Sequence, residues 1–335
     1  MGLFQSRTPR ALGLAVGAVI LLLLMLASVL FGLQRFTIGT LLDSYMGFTG
    51  STEHMIIRDA RVPRTLVGAV VGASLAVAGA VMQAITRNPM ASPSVFGINS
   101  GAVLFIVIGI SALGGALTMD GMIWIAFAGA GITSLVVFVL GYRGPGGFAP
   151  IKLTLAGAAI AAFAASVTSG IILVDKKSLD QAMFWMIGSV VDRDMGHLQT
   201  VLPYVTAGWV IAMLISRSLN VAALGDDISK GLGMSLFFVR AAACVSVVLL
   251  AGGSVAVAGP VAFVGIIVPH LCRALVGQDH RWLIPYCAVA GALLLVSADL
   301  ASRFVIMPKE VPVGVATALL GVPFLIYIVR RKKYA

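Results

Sequence analysis

Charge is what this sequence has least of. Asp, Glu, Lys and Arg supply only 11% of its 335 residues, whereas 59% are hydrophobic, and the mean hydropathy is +1.04. A soluble domain needs a charged surface, so this balance excludes an ordinary globular protein. Cysteine is also sparse. Cys244, Cys272 and Cys287 show no paired spacing, so neither a disulfide framework nor a zinc site is expected. The four histidines, His54, His197, His270 and His280, lie far apart, and no His-Glu-x-x-His occurs. The chain also lacks Gly-x-x-x-x-Gly-Lys-Ser/Thr and Gly-x-Ser-x-Gly. It therefore has no P-loop for a nucleotide and no nucleophile elbow, and no catalytic residue, metal site or resident cofactor is expected of it.

What is abundant is apolar and comes in blocks. About 20 apolar residues cross ~30 Å of hydrocarbon as a helix. Blocks near 11–33, 65–86, 97–117, 121–142, 153–174, 198–216, 241–258, 261–277, 282–303 and 311–329 predict ten spans. The expected fold is an all-α polytopic membrane protein occupying 1–335 as a single domain. Gly259-Pro260 interrupts one long run and is read as the break between two spans. The first block follows Arg7 and Arg10, exceeds a signal-peptide core and is read as an uncleaved span. Gln181–Val191 is too short to cross and is expected at the outer surface or dipping into the membrane.

Basic residues set the orientation. With the N-terminus inside, ten spans leave fourteen of the 23 Lys and Arg residues on the inner face, against Asp226, Asp227 and Asp279. The positive-inside rule thus places both termini in the cytoplasm. The net charge of +10 reflects these loops, and nucleic acid is not an expected partner.

Gly72–Val81 reads GASLAVAGAV and Gly252–Val261 reads GGSVAVAGPV, with seven of ten positions identical. Five spans separate the copies, so they run in opposite directions. Either this is an inverted repeat of the kind transporters use, or it is chance in a chain rich in Ala, Gly and Val. Gly68, Gly72, Ala76 and Gly79 recur along one span, which suits close helix packing.

Few ionisable groups lie within the spans. Asp299 and Arg303, four residues apart, can pair on one helix face. The scarcity of intramembrane carboxylates argues against proton or sodium coupling. The inner loop Asn220–Phe237, with its acids and glycines, reads either as a solvated connector or as a docking element. RDARVPR, Arg58–Arg64, is either an acid-binding cluster or an anchor for the second span. Asn88-Pro-Met-Ala-Ser-Pro93 is either a turn or a pore constriction.

Four segments together resemble the FecCD family, the permease subunits of bacterial iron–siderophore, haem and vitamin B12 ABC importers. They are RVPRTLVGAVVGASLAVAGAVMQAITRNPMASPSVFGINSGA (61–102), ALGDDISKGLG (223–233), GPVAFVGIIVPHLCRALVGQDHRWLIP (259–285) and PKEVPVGVATALLGVPFLIYIVRR (308–331). MFWMIGSV (183–190) is a weaker match. The resemblance implies a type II ABC importer fold with ten spans and an inverted repeat, in a bacterial inner or plasma membrane. It implies a second permease subunit, identical or homologous. It further implies two cytoplasmic ATPase subunits that carry ATP and Mg²⁺, and an external substrate-binding protein. It assigns ATPase coupling to helices at about 220–237, on Leu224, Gly225, Asp226, Asp227, Lys230, Gly231, Leu232 and Gly233. It assigns binding-protein docking to Arg61, Arg64 and Arg303, and cytoplasmic gates to Asn88 and Met90 and to Phe148, Ala149, Pro150 and Ile151. The family commonly has Leu where Met90 stands, and the 148–151 stretch departs from the Ser/Thr-rich form of the B12 importer, which leans the cargo away from B12. The competing expectation is a secondary transporter built on inverted repeats, whose uptake survives ATP depletion but stops with an uncoupler.

Overall fold

The structure, a computed structural model, describes residues 3–4, 6–113, 117–143, 148–174, 183, 185–307 and 309–332. Among these, thirteen helices account for nearly all regular structure: α1 (Arg7–Leu30), α2 (Ile38–Met46), α3 (Thr52–Thr86), α4 (Ile98–Leu113), α5 (Met119–Tyr142), α6 (Pro150–Val174), α7 (Met195–Leu214), α8 (Ser216–Ala222), α9 (Asp226–Gly231), α10 (Leu236–Ala258), α11 (Val264–Val276), α12 (His280–Val305) and α13 (Val313–Lys332). Seven of them, α1, α3, α5, α6, α7, α10 and α12, are long and apolar enough to cross a membrane. The apolar parts of α4, α11 and α13 are shorter. These ten helices coincide with the ten predicted spans. The predicted tail Arg330–Lys333 ends beyond the described residues at Lys333.

The axis of the molecule is α3. Most of its apolar length is buried, because its small residues admit neighbouring backbone. A Cβ on Gly72 would stand 2.3 Å from the Gly291 carbonyl oxygen of α12, and one on Gly79 would stand 2.0 Å from that of Gly265 in α11. Helix approach this close needs glycine on the facing stripe. The helix starts well before its predicted span. Ser51 caps it by accepting from the His54 backbone N–H, and a π-helical turn over Ile56–Arg61 leads into Pro63. Proline lacks an N–H and crowds the preceding turn, and a wider turn relieves both problems.

The break at Gly259-Pro260 is real. The α10 helix stops at Ala258, Gly259 takes φ +70, and α11 begins only after Phe263, itself left-handed at φ +69. The described part of the short segment before α7 tucks against this break: Ser189 N–H donates to the Ala258 carbonyl at 2.8 Å, and Gly314 N–H to the Gly188 carbonyl at 3.1 Å. Residues 181, 182 and 184 of that segment lie outside the described residues. The order long–short–long recurs in α3–α4–α5 and in α10–α11–α12, with the two sequence echoes on α3 and α10.

Candidate functional site

Two charged clusters stand at opposite ends of α3, and an irregular stretch lies between them. The outer cluster, named with its inner counterpart after the orientation that the positive-inside count predicts, gathers the end of α1, the first third of α3, the end of α12 and the segment before α13. Its centre is the buried Asp299 carboxylate. Oδ1 accepts from Arg64 Nη2 at 2.7 Å and from Arg64 Nε at 3.0 Å, and Oδ2 accepts from Arg303 Nη2 at 2.6 Å. Arg64 Nη1 reaches Glu310 Oε2 at 2.5 Å. Arg303 has no exposed surface. Its Nη1 donates to the Ser28 carbonyl at 2.7 Å and the Phe31 carbonyl at 3.1 Å, and its Nη2 to Ser28 Oγ at 2.9 Å. Arg61 Nη1 donates to the same Phe31 carbonyl at 2.6 Å. Gly32 makes room for that fork, since a Cβ there would overlap the guanidinium.

The sequence expectation aimed all three forks at an external partner. In the structure the forks of Arg64 and Arg303 turn inward, because Asp299 supplies a desolvated counter-charge that neither could leave cheaply. Arg61 is the half-exposed member. The Asp299–Arg303 pair anticipated from the four-residue spacing forms. Glu310, to which the sequence analysis gave no role, completes the cluster.

The inner cluster centres on Asp226. Its carboxylate accepts from Arg240 Nη2 at 2.7 and 2.8 Å and pairs with Arg87. Partial burial opposes the charged form, but the two guanidinium groups outweigh it and hold the carboxyl below the usual carboxylate range. Arg87 ends α3 in the left-handed region, φ 50, and also donates to the Ala222 carbonyl at 2.9 Å. Arg240 is stacked over the Phe148 ring, 4.1 Å from its centroid. One aspartate is thus joined to both expected gate segments. Asn88 and Met90 follow Arg87 directly, with Asn88 Oδ1 accepting from the Met90 N–H at 2.9 Å. Phe148 is buried beneath Arg240, Ala149 and Pro150 are half-buried, and Ile151 is exposed.

The 220–237 loop folds as α8, a short turn and α9. Buried Ser229 donates to the carbonyls of Val221 at 3.0 Å and Gly225 at 2.6 Å, which closes the loop on itself. Gly225 at φ +120 and Gly233 at φ +76 bracket α9, conformations that side chains disfavour. The outward face carries Leu224, Ile228 and Leu232, exposed by 60, 54 and 66%. Ile228 and Leu232 lie one helical turn apart, and Leu224 stands exposed in the turn before Gly225; the three are the apolar ridge of this loop. Asp227 and Lys230 flank it in solvent, and Gly231 and Leu232 finish the helix. Nearby, Asp279 accepts from Asn220 Nδ2 at 2.7 Å. Hydrogen bonding from Arg281 above all, against some burial and with help from Asn220, holds its carboxyl at about 2.

Between the clusters, residues 87–97, irregular apart from a 3₁₀ turn over Pro93–Phe96, and the irregular residues 259–263 reach in among the helices. Val95 carbonyl oxygen lies against Gly157, well inside α6, and Gln83 Nε2 donates to the Gly265 carbonyl at 3.1 Å. A 230 Å³ pocket lies between the two stretches, lined by Leu75, Ser92, Ser94, Asn99 and Phe263 among others. Irregular backbone within a membrane protein is tolerated where it lines such a cavity.

The sequence analysis missed the partners of Asp226 and the Arg64 partner of Asp299. Arg87 is 139 residues from Asp226, and Arg64 is 235 from Asp299. No local pattern signals contacts of that range.

Comparison with known proteins gives concordant results. Residues 20–331 match the model of the FecCD transport family. The permease protein YfiZ of Bacillus subtilis is 47% identical over 312 residues, 93% of each chain. The ferric enterobactin transport system permease protein FepD of Escherichia coli is 40% identical, covering 95% of this chain and 96% of its own. The Fe(3+)-citrate import system permease protein YfmD of Bacillus subtilis is 43% identical, covering 84% and 83%. Among solved structures, an inward-facing metal-chelate-type ABC transporter superposes with a TM-score of 0.84 at 24% identity, covering 95% of this chain and 98% of that one.

Proposed function

The chain belongs to the FecCD transport family, a multi-pass membrane permease, and we propose that it carries a ferric chelate through the membrane as one half of an ATP-driven importer. Relatives named for siderophore, citrate and haem transport support that cargo class. In this reading the chain hydrolyses nothing. ATP and Mg²⁺ belong to two cytoplasmic ATPase subunits, and an external binding protein delivers the chelate.

The observation that carries the proposal is the ridge of Leu224, Ile228 and Leu232. Three aliphatic side chains standing in water on a small, internally braced loop are a docking edge. Covering each stabilises a complex by up to about 1.5–3 kcal/mol. Movement of the loop would pull on Asp226, and through Arg87 and Arg240 on Asn88–Met90 and Phe148–Ile151 together. Replacing all three ridge residues by Ser should abolish ATPase co-purification while leaving the permease inserted. Undiminished co-purification would refute the docking role.

Two uncovered helix faces differ in composition. The exposed face of α1 carries Leu12, Val16, Val19, Ile20, Leu22 and Leu23, whereas α6 exposes a small-residue stripe, Thr154, Ala158, Ala162 and Ser166, beside Leu155 and Phe163. Bulky aliphatics suit lipid, and small residues suit a close helix partner. The α6 face is therefore assigned to the second permease subunit and to the path between the two. On the outer side Arg61 meets a carboxylate of the binding protein, while Arg64 and Arg303 form the base that holds it in place. This orientation puts both termini in the cytoplasm of a bacterial cell. Exposed Thr52 and Lys309, as single cysteines, should react with an impermeant maleimide from outside, and one at exposed Lys230 should not. The opposite labelling would overturn the topology.

A further inference from the structure

A pocket of 540 Å³ opens where the inner ends of α3, α11 and α12 meet the turn after α8. Its polar lining is Gln83, Arg87, His270, Arg273, Gln278 and His280, with no carboxylate. Arg273 is the singular group. Its one hydrogen bond runs from Nη1 to the buried Gln83 Oε1 at 2.5 Å, and among the described residues it pairs with no acid. Its Nε and Nη2 are left without a protein acceptor. Across the pocket, Arg87 spends Nε and Nη2 on Ala222 and Asp226, and its Nη1 makes no hydrogen bond. His280 has its Nδ1 committed to Asn220 Oδ1 at 2.7 Å, so it serves as wall. A half-buried guanidinium without a counter-charge is costly at a membrane edge, and what the pocket lacks is an anion.

We propose that this pocket binds a phosphate group, held by Nε and Nη2 of Arg273 with Nη1 of Arg87. A tetrahedral oxyanion with three or more acceptor oxygens can serve both guanidinium groups at once. The phosphate has two possible sources with the same chemistry, an anionic lipid headgroup at the inner leaflet or free phosphate from the cytoplasm. Occupancy braces Arg87, and through it the Ala222 carbonyl and Asp226 of the coupling loop. The binding itself does not depend on what the permease carries.

The test is titration of the purified full chain in phosphate-free detergent with inorganic phosphate and, separately, with phosphatidylglycerol, read by thermal shift and native mass spectrometry. Saturable binding of phosphatidylglycerol alone assigns the site to lipid, and saturable binding of inorganic phosphate assigns it to the free ion. Arg273→Gln should weaken the binding by at least about tenfold, the loss of a charged hydrogen bond, while Arg143→Gln, on an exposed residue away from the pocket, leaves it unchanged. If Arg273→Gln fails to fold, wild-type protein still decides, since acetate at equal ionic strength should not substitute for phosphate. No binding of either ligand at about 10 mM, a weaker affinity than any functional site needs, would overturn the proposal. So would equal binding by Arg273→Gln, or equal effects of acetate. Loss of the wild-type signal on assembly with the ATPase would also overturn it, and would give the pocket to an acidic side chain of that partner.

Discussion

Asp299 holds two guanidinium groups, and one of them, Arg303, has no contact with solvent at all. Removing the carboxylate strands that charge, and stranding one member of a buried pair costs about 3–5 kcal/mol. Arg61 differs, because its hydrogen bonds go to backbone carbonyls at a half-exposed site. Asp299→Asn should therefore lower stability to denaturant by roughly 3–5 kcal/mol, whereas Arg61→Ala should change it by no more than about 1 kcal/mol. Equal losses in an equilibrium unfolding series in detergent would show that the cluster is not organised around Asp299. At this scale the sequence was half legible. Asp299 and Arg303 stand one helical turn apart, so their pairing could be read from spacing alone. The Arg64 and Glu310 links join residues 246 apart and exist only because α3, α12 and the segment before α13 pack side by side. That packing also explains why three arginines that looked alike in sequence differ in exposure.

Among the elements, α9 is held by two glycine conformations and one serine. A β-branched residue at φ +120 or +76 is strained even though open space surrounds both positions. Gly225→Val with Gly233→Val should tilt α9, misdirect the Leu224–Ile228–Leu232 ridge and reduce ATPase stimulation several-fold, with membrane insertion unchanged. Each strained residue costs about 1–3 kcal/mol, enough to distort a six-residue helix whose remaining anchors are Ser229 and Asp226. Full stimulation in that variant would mean the loop tolerates either orientation. The elements themselves were largely visible in the sequence. Long apolar runs marked the ten membrane helices, and Gly259-Pro260 marked the division between α10 and α11, since proline and a left-handed glycine stop a helix by covalent geometry. The outer extension of α3 over Thr52–Arg61 and the short α2 were not visible. Both are polar or amphipathic and too short to show as spans, and they are held by Leu41, Ile56 and Ile57 packing with Val29, Leu30 and Phe36, a tertiary contact that apolar counting along the chain does not register.

At the scale of the whole molecule, α3 and α12 form a rod joining the two charged clusters. They touch backbone to backbone at Gly72 and Gly291. Arg64 and Arg87 bracket the apolar length of α3, and Asp279 and Arg303 lie near the two ends of α12. Close-packed helices shift as units rather than bending, so the partners proposed at Arg61 and at the α9 ridge would act on one body. This arrangement suits the proposed importer, in which a binding protein would load one face and an ATPase would act on the other. The most direct test is uptake of radioactive ferric chelate into proteoliposomes holding the permease, its ATPase and ATP in the lumen, with binding protein added outside. The account predicts uptake that requires both ATP and binding protein, survives an uncoupler, and disappears with Leu224→Ser, Ile228→Ser and Leu232→Ser combined. Uptake that continues without ATP and stops with the uncoupler would contradict it.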